Sequence, residues 1–197
     1  MNAFINGEAD AYAKRNPCGA NVEPWFSGLV ATIRARNIVE VGCGTGSRLF
    51  DIWGNAGGNE EDSIANEFTL LGVDAVSYND NYSWAPQIKL LSGINAETWE
   101  IPPCDLAMFC YILHWLPSAE QVIERAMKSA KYILINDFYP PYAIDVPYAH
   151  CEGVTTRKRR YGMYCAEAGW VRHIAVKYRY HNEPDGETCC AEIWRKP

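Results

Sequence analysis

Apolar positions along the chain follow two different periods. Five short runs, residues 38–41, 68–74, 88–91, 105–110 and 132–137, are nearly all apolar and of strand length, the pattern of strands buried on both faces. Around them the apolar residues recur at helical spacing. Residues 23–34 place Trp25, Phe26, Leu29, Val30 and Ile33 on one face, and 118–129 do so with Val122, Ile123, Ala126 and Met127, behind a cap at Ser118. A shorter helical pattern covers 47–53, and 4–14 mixes helix formers with aromatics until Arg15-Asn16-Pro17 ends it. Strands alternating with helices predict a mostly parallel sheet covered on both faces. The tail is of another kind. Residues 170–180 alternate, Glu183-Pro184-Asp185-Gly186 turns the chain, and 188–195 return, which predicts an antiparallel hairpin closing one edge of the sheet. Residues 54–62 read as an exposed loop, whereas 78–85 carry no clear period. Nothing repeats and no linker interrupts the pattern, so one domain is expected over 1–197.

Composition narrows the function classes. A chain of 197 residues that is 48% hydrophobic supports a substantial core, and a net charge of −6 argues against a protein whose main task is gripping nucleic acid. No apolar stretch is long enough to cross a bilayer, and Met1-Asn2-Ala3-Phe4-Ile5-Asn6-Gly7-Glu8 lacks the basic and apolar segments of a secretory signal. The eight cysteines form no C-x-x-C pair and several lie in apolar runs. Reduced, partly buried thiols in a cytoplasmic protein, and no metal site, are therefore expected.

The candidate chemistry centres on Val39-Glu40-Val41-Gly42-Cys43-Gly44-Thr45-Gly46, which joins the first strand to the helix at 47–53. Alternate glycines let the backbone approach a ligand, and the helix start offers unpaired N–H groups. A dinucleotide fingerprint needs G-x-G-x-x-G, but its third glycine position is Ser47. Glu40 stands two residues before the turn, and Asp74 ends the second strand with a carboxylate able to accept both hydroxyls of a diol.

These residues resemble the class I S-adenosylmethionine-dependent methyltransferases. The resemblance implies a Rossmann-like α/β fold, with a mostly parallel seven-stranded sheet ending in an antiparallel hairpin. It implies S-adenosyl-L-methionine as cofactor, held by Glu40, Gly42, Cys43, Gly44 and Gly46 at the methionine portion and by Asp74 at the ribose. Ile94 and Asn95 stand where the family meets the adenine edge, and Cys110 at the end of the fourth strand belongs to the same implied site. Leu113-His114-Trp115-Leu116 resembles the family's apolar-histidine segment. Gly7-Glu8, Tyr12, Arg15, Asn16, Tyr132-Ile133-Leu134-Ile135 and the stretch from Phe138-Tyr139 to Val146-Pro147-Tyr148 resemble the methyltransferases associated with pseudaminic acid biosynthesis. A small acceptor such as a sugar or sugar nucleotide is in keeping with that resemblance, and four consecutive cations at 157–160 in an otherwise acidic chain point to an acidic one; nucleic acid, or a non-catalytic cofactor-binding role, is the alternative.

Residues 1–36 would form a helical cap and 138–164 a lid after the fifth strand. His150, Asp137 and His114 are the candidates for removing a proton from the acceptor. Arg157-Lys158-Arg159-Arg160 is either a solvated basic face or an anion clamp. As a clamp, Arg157 and Arg159 would share the acceptor with Tyr139 and with Tyr12, Arg15 and Asn16 of the cap. Tyr139-Pro140-Pro141-Tyr142 is not the N-P-P-Y signature of DNA amino-methyltransferases, because it follows the fifth strand and begins with Tyr; its prolines fix an extended segment.

Overall fold

Each of the five apolar runs is a strand. The computed structural model describes residues 11, 14, 22–58, 60–61, 63–77, 85–148, 154–180 and 185–197. The elements are α1 (Phe26–Ala31), β1 (Asn37–Val41), α2 (Ser47–Asn55), β2 (Thr69–Val73), β3 (Ile88–Leu91), β4 (Cys104–Cys110), α3 (Ala119–Ser129) and β5 (Ala130–Phe138). After them come β6 (Ile144–Pro147), β7 (Thr155–Lys158), α4 (Gly162–Glu167), β8 (Val171–Arg179) and β9 (Thr188–Arg195). Short 3₁₀ turns lie at Ile64–Glu67 and Leu113–Trp115.

One seven-stranded sheet runs β3-β2-β1-β4-β5-β9-β8. β1 to β5 pair in parallel, while β9 lies antiparallel between β5 and β8. The last strand of the hairpin is thus interior and the first forms the edge. Two apolar cores cover the faces. Ile38, Leu106, Met108, Leu134 and Ile193 point toward α1 and α2, while Val39, Val41, Ala107, Phe109 and Ile133 point toward α3 and α4. Alternation along β1, β4 and β5 sends successive side chains to opposite cores.

Three local expectations change. The helix expected over 23–34 is only Phe26–Ala31, because the Thr32 hydroxyl donates to Leu29 O (2.7 Å) and Arg34 turns left-handed at φ 53°. Ser118 makes no side-chain cap on α3; its N–H is instead held by Glu97 Oε1 at 2.9 Å. The loop expected to be exposed after α2 is partly tucked in, with Gly58 packed on the Trp53 indole. In the segment after β5, β6 and β7 form an antiparallel ribbon and α4 follows. Among the described residues, no helix is long and apolar enough to cross a membrane and no His, Cys, Asp and Glu cluster could hold a metal ion. Cys43, Cys104, Cys110, Cys165, Cys189 and Cys190 are buried and unbridged.

Candidate cofactor and acceptor site

The site forms where β1, β2, β4 and β5 end, the edge at which open parallel sheets bind ligands. The turn after β1 is stitched to β2, since Gly42 N and Cys43 N both donate to Val73 O, at 2.8 and 3.1 Å. Asp74 then binds the turn from the side, its Oδ2 accepting from Gly44 N at 2.8 Å and its Oδ1 from Val76 N at 3.1 Å. Burial raises the Asp74 carboxyl, and these backbone donors partly offset the rise. Asp74, Cys43, Gly44, Ser77, Leu90 and Ser92 line a cleft of about 180 Å³. Room for Cys43 comes from Gly72, where a Cβ would lie 2.7 Å from the Cys43 sulfur. An isolated glycine within a strand pattern was the available signal for that close approach.

Directly behind the turn lies a buried ionic pair. Glu40 is fully buried, and Arg48, on the first turn of α2, is 4% exposed. Arg48 Nη1 is 3.8 Å from Glu40 Oε1, too long for a hydrogen bond. Apart from the Cys110 thiol beside Glu40, neither Glu40 oxygen has a hydrogen-bond partner among the described residues, and Nε and Nη2 of Arg48 have none. Cys110, 3% exposed at the end of β4, lies within the field of the same pair. Arg48 was not singled out in the sequence; the one signal was a cation beside Leu49 on the buried side of an amphipathic helix.

Burial pushes the Glu40 carboxyl up from 4.5 to about 7, with Arg48 opposing the rise and Asp74 adding to it. The folded protein therefore holds this proton to about pH 7, whereas the unfolded chain releases it near 4.5. More protons are bound in the native state across that interval, so this group's contribution to stability falls as pH rises from about 4.5 to 7. The loss is about 3 kcal/mol once Glu40 is ionised. Ile38, Val39 and Val41 beside it are each fully buried and contribute roughly 1.5–3 kcal/mol apiece, so β1 tolerates the cost. Urea unfolding of the ligand-free Glu40→Gln variant is expected to show a stability advantage over wild type that grows by up to about 3 kcal/mol between pH 4.5 and 8. A constant difference across that range would contradict the assignment.

On the opposite face, the end of β5 meets the 3₁₀ turn after β4. Asp137 is 2% exposed and both its oxygens are committed. Oδ1 is 2.8 Å from His114 Nδ1 and accepts from Phe138 N at 2.7 Å, while Oδ2 accepts from Leu113 N at 3.1 Å. A carboxylate only accepts, so with Asp137 ionised the bond is donated by Nδ1–H, which in a neutral imidazole leaves the lone pair on Nε2. The His114 ring packs edge-on against Phe138, with centroids 4.9 Å apart. Tyr148, just after β6, meets the neighbouring Trp115 edge-on at 4.5 Å.

The four consecutive cations diverge. Arg157 pairs across the ribbon with Asp145 at 3.8 Å, and Lys158 with Glu187. Arg159 donates to the Tyr164 hydroxyl at 3.1 Å, and Arg160 to Pro140 O at 2.9 Å. Tyr139 lies beneath Arg160 and Lys177, with ring-centroid distances of 4.8 and 5.0 Å. Asn95 folds its own turn, its Oδ1 accepting from Glu97 N at 3.0 Å, while Ile94 N donates to Asp74 O at 3.0 Å. His150, Tyr12, Arg15 and Asn16 lie outside the described residues.

No protein-family model matches the chain, and no curated protein matches it in sequence. Solved structures do match in fold. The 1,6-didemethyltoxoflavin-N1-methyltransferase of Burkholderia thailandensis, determined with 1,6-didemethyltoxoflavin and S-adenosylhomocysteine, aligns at TM-score 0.70 and 14% identity over 98% of this chain and 85% of that one. The N-methyltransferase NodS of Bradyrhizobium japonicum WM9, in complex with S-adenosylhomocysteine, aligns at 0.66 and 13% identity over 100% of both chains. The [4+2]-cyclase SpnF aligns at 0.61 and 11% identity over 99% of this chain and 93% of that one. The chain therefore has the Rossmann-like fold of the class I S-adenosylmethionine-dependent methyltransferases. That fold also carries a cyclase, so function has to be argued from the site.

Proposed function

We propose that this protein is an S-adenosylmethionine-dependent methyltransferase acting on a small molecule. The observation that carries the reading is the buried Glu40–Arg48 pair behind the glycine turn, whose free oxygens and N–H groups match the ammonium and carboxylate of an amino acid. Asp74, on the cleft, has the chemistry to accept from a ribose diol. When bound, the cofactor supplies a methyl group already activated on sulfonium sulfur. The protein's share is to orient the acceptor, exclude water beneath the lid and take a proton. His114 Nε2 is the base in this reading and Asp137 its positioning residue, since Asp137 has no free oxygen to receive a proton.

An anionic sugar or sugar nucleotide acceptor, as in the pseudaminic-acid-associated group, is a second reading. It is favoured by the buried Nε of Arg159, which has no partner among the described residues. A nucleic-acid acceptor is disfavoured, because the Arg157–Arg160 cations turn to separate partners rather than forming one face. Calorimetric titration with S-adenosylmethionine, S-adenosylhomocysteine and NAD tests the central reading. The first two are expected to bind and NAD not to; binding of NAD alone, or of none, rejects it.

A further inference from the structure

Beside the cofactor cradle, four segments meet in a polar cluster that methyl transfer as proposed does not use. Glu23 precedes α1, Tyr111 follows β4, Asn136 lies near the end of β5 and Tyr178 is on β8. Both phenols reach one carboxylate oxygen, Glu23 Oε1, at 3.0 Å from Tyr111 and 3.1 Å from Tyr178. The phenols also touch each other, and Tyr178 donates to Asn136 Oδ1 at 2.5 Å. Burial first, and Glu23 with it, raises both phenols, so they stay protonated donors.

Two groups in this cluster remain unused. Glu23 Oε2 and Asn136 Nδ2 have no partner among the described residues, and Asn136 is fully buried. Such orphans in a native fold call for a ligand or a water. The backbone adds a second sign: Tyr111 holds φ 56°, a left-handed conformation that a residue with a Cβ adopts only under constraint, while its N–H donates to Asn136 O at 2.8 Å.

Position and charge indicate what would bind. The cluster lies at the carboxyl edge between β4 and β5, and Phe138 packs against both Tyr111 (5.9 Å) and His114 (4.9 Å), one ring from the proposed base. Its walls are aromatic, with Trp25 on Tyr178 at 5.0 Å and Tyr111 on Tyr180 at 5.2 Å. Glu23 faces the Arg48 guanidinium, which lies 5.5 Å from the Tyr111 ring centroid, and the Lys158 ammonium on the Phe138 ring (4.0 Å) is paired with Glu187, so the free oxygen of Glu23 is the acceptor left for a cation. Of the Arg157–Arg160 cations that would draw an anion, Arg157, Lys158 and Arg160 are committed to partners, and Arg159, whose Nε is free, binds the Tyr164 hydroxyl of α4 through Nη1.

We infer that this cluster is the acceptor subsite and that it selects an amine carried on a flat apolar ring, its ammonium meeting Glu23 Oε2 between aromatic walls. The Asn136 amide donates to an oxygen of the same ligand. This rests on the methyl-transfer reading and names the class of its acceptor.

The test is calorimetric, on full-length protein saturated with S-adenosylhomocysteine, using tyramine and 4-hydroxyphenylacetate as probes with one ring and opposite charges. Tyramine is expected to bind at least about ten-fold more tightly, a preference that Glu23→Gln removes while S-adenosylhomocysteine still saturates the variant. Should Glu23→Gln fail to fold, Tyr178→Phe is expected to weaken tyramine and leave 4-hydroxyphenylacetate unchanged; unchanged tyramine affinity in that variant overturns the inference. Equal or tighter binding of the carboxylate, binding of neither probe, or an undiminished preference in Glu23→Gln also overturns it. Failure of S-adenosylhomocysteine itself to bind overturns the methyl-transfer reading, and this inference with it.

Discussion

Gly42→Ala is expected to abolish cofactor binding and to destabilise the protein by roughly 2–5 kcal/mol. Two penalties add at this position. Gly42 has φ 72°, and an alanine there carries a steric cost of about 1–2 kcal/mol. The new Cβ would also lie 2.7 Å from Ile112 Cγ1 and 2.9 Å from its Cβ and Cδ1. The backbone has little room to yield, because Gly42 N and Cys43 N are both bonded to Val73 O. Relief therefore requires Ile112 to retreat, which disturbs the segment between Tyr111 and the His114 turn, or requires the glycine turn to open. Either movement deforms the site. For a chain of this length the midpoint of thermal unfolding is expected to fall by roughly 5–15 °C. Scanning calorimetry and S-adenosylhomocysteine titration check the two effects; wild-type values in both would show that the turn is not as constrained as its geometry implies.

Asp137→Asn is expected to lower turnover by about 10² or more while leaving cofactor affinity near wild type. The substitution keeps the shape of the side chain and changes one oxygen into a donor. Wild-type Asp137 accepts from His114 Nδ1, from Leu113 N and from Phe138 N. An amide cannot accept at both ends, so its NH₂ must oppose either Leu113 N–H or, on the side of His114 Nδ1, Phe138 N–H, and each orientation breaks one backbone hydrogen bond. In the second case Nδ1 becomes the acceptor and the proton moves to Nε2, the nitrogen proposed to act as base. A structural role alone would lower stability without moving the pH dependence of the rate. The acid limb of the kcat profile is therefore the decisive measurement. An unchanged limb with unchanged kcat would remove the pair from the proposed mechanism. Asp137→Ala is the harsher control, leaving two buried N–H groups and a buried imidazole without their acceptor, a loss of roughly 3–5 kcal/mol.

Much of the architecture is legible along the chain because burial on both faces leaves a nearly unbroken apolar run, and helices between such runs force parallel pairing. The glycine turn and Asp74 could be read for the same reason: both depend on local backbone, a tight turn and a strand end. Helix limits were less legible where side chains compete with the backbone. Thr32 ends α1 early by bonding Leu29 O, and Glu97, distant in sequence, replaces the expected Ser118 cap. The basic run at 157–160 shows the same limit. Adjacent in sequence, its side chains point to opposite faces of β7 or leave the strand altogether, so four neighbouring charges do not make one patch.

The sequence by itself determined the parallel sheet with its reversed terminal strands, the glycine turn and the acid at the end of β2, because each follows from residue type at short range. Only the tertiary structure decided which polar groups act together. Glu40 meets Arg48 through the packing of α2 on β1, Asp137 meets His114 across β4 and β5, and Glu23 meets Tyr178 over 155 residues of chain. Those pairings come from strand order and from which face each residue occupies. Hydrophobic burial dictates both, and leaves the polar side chains to find partners wherever the sheet has placed them.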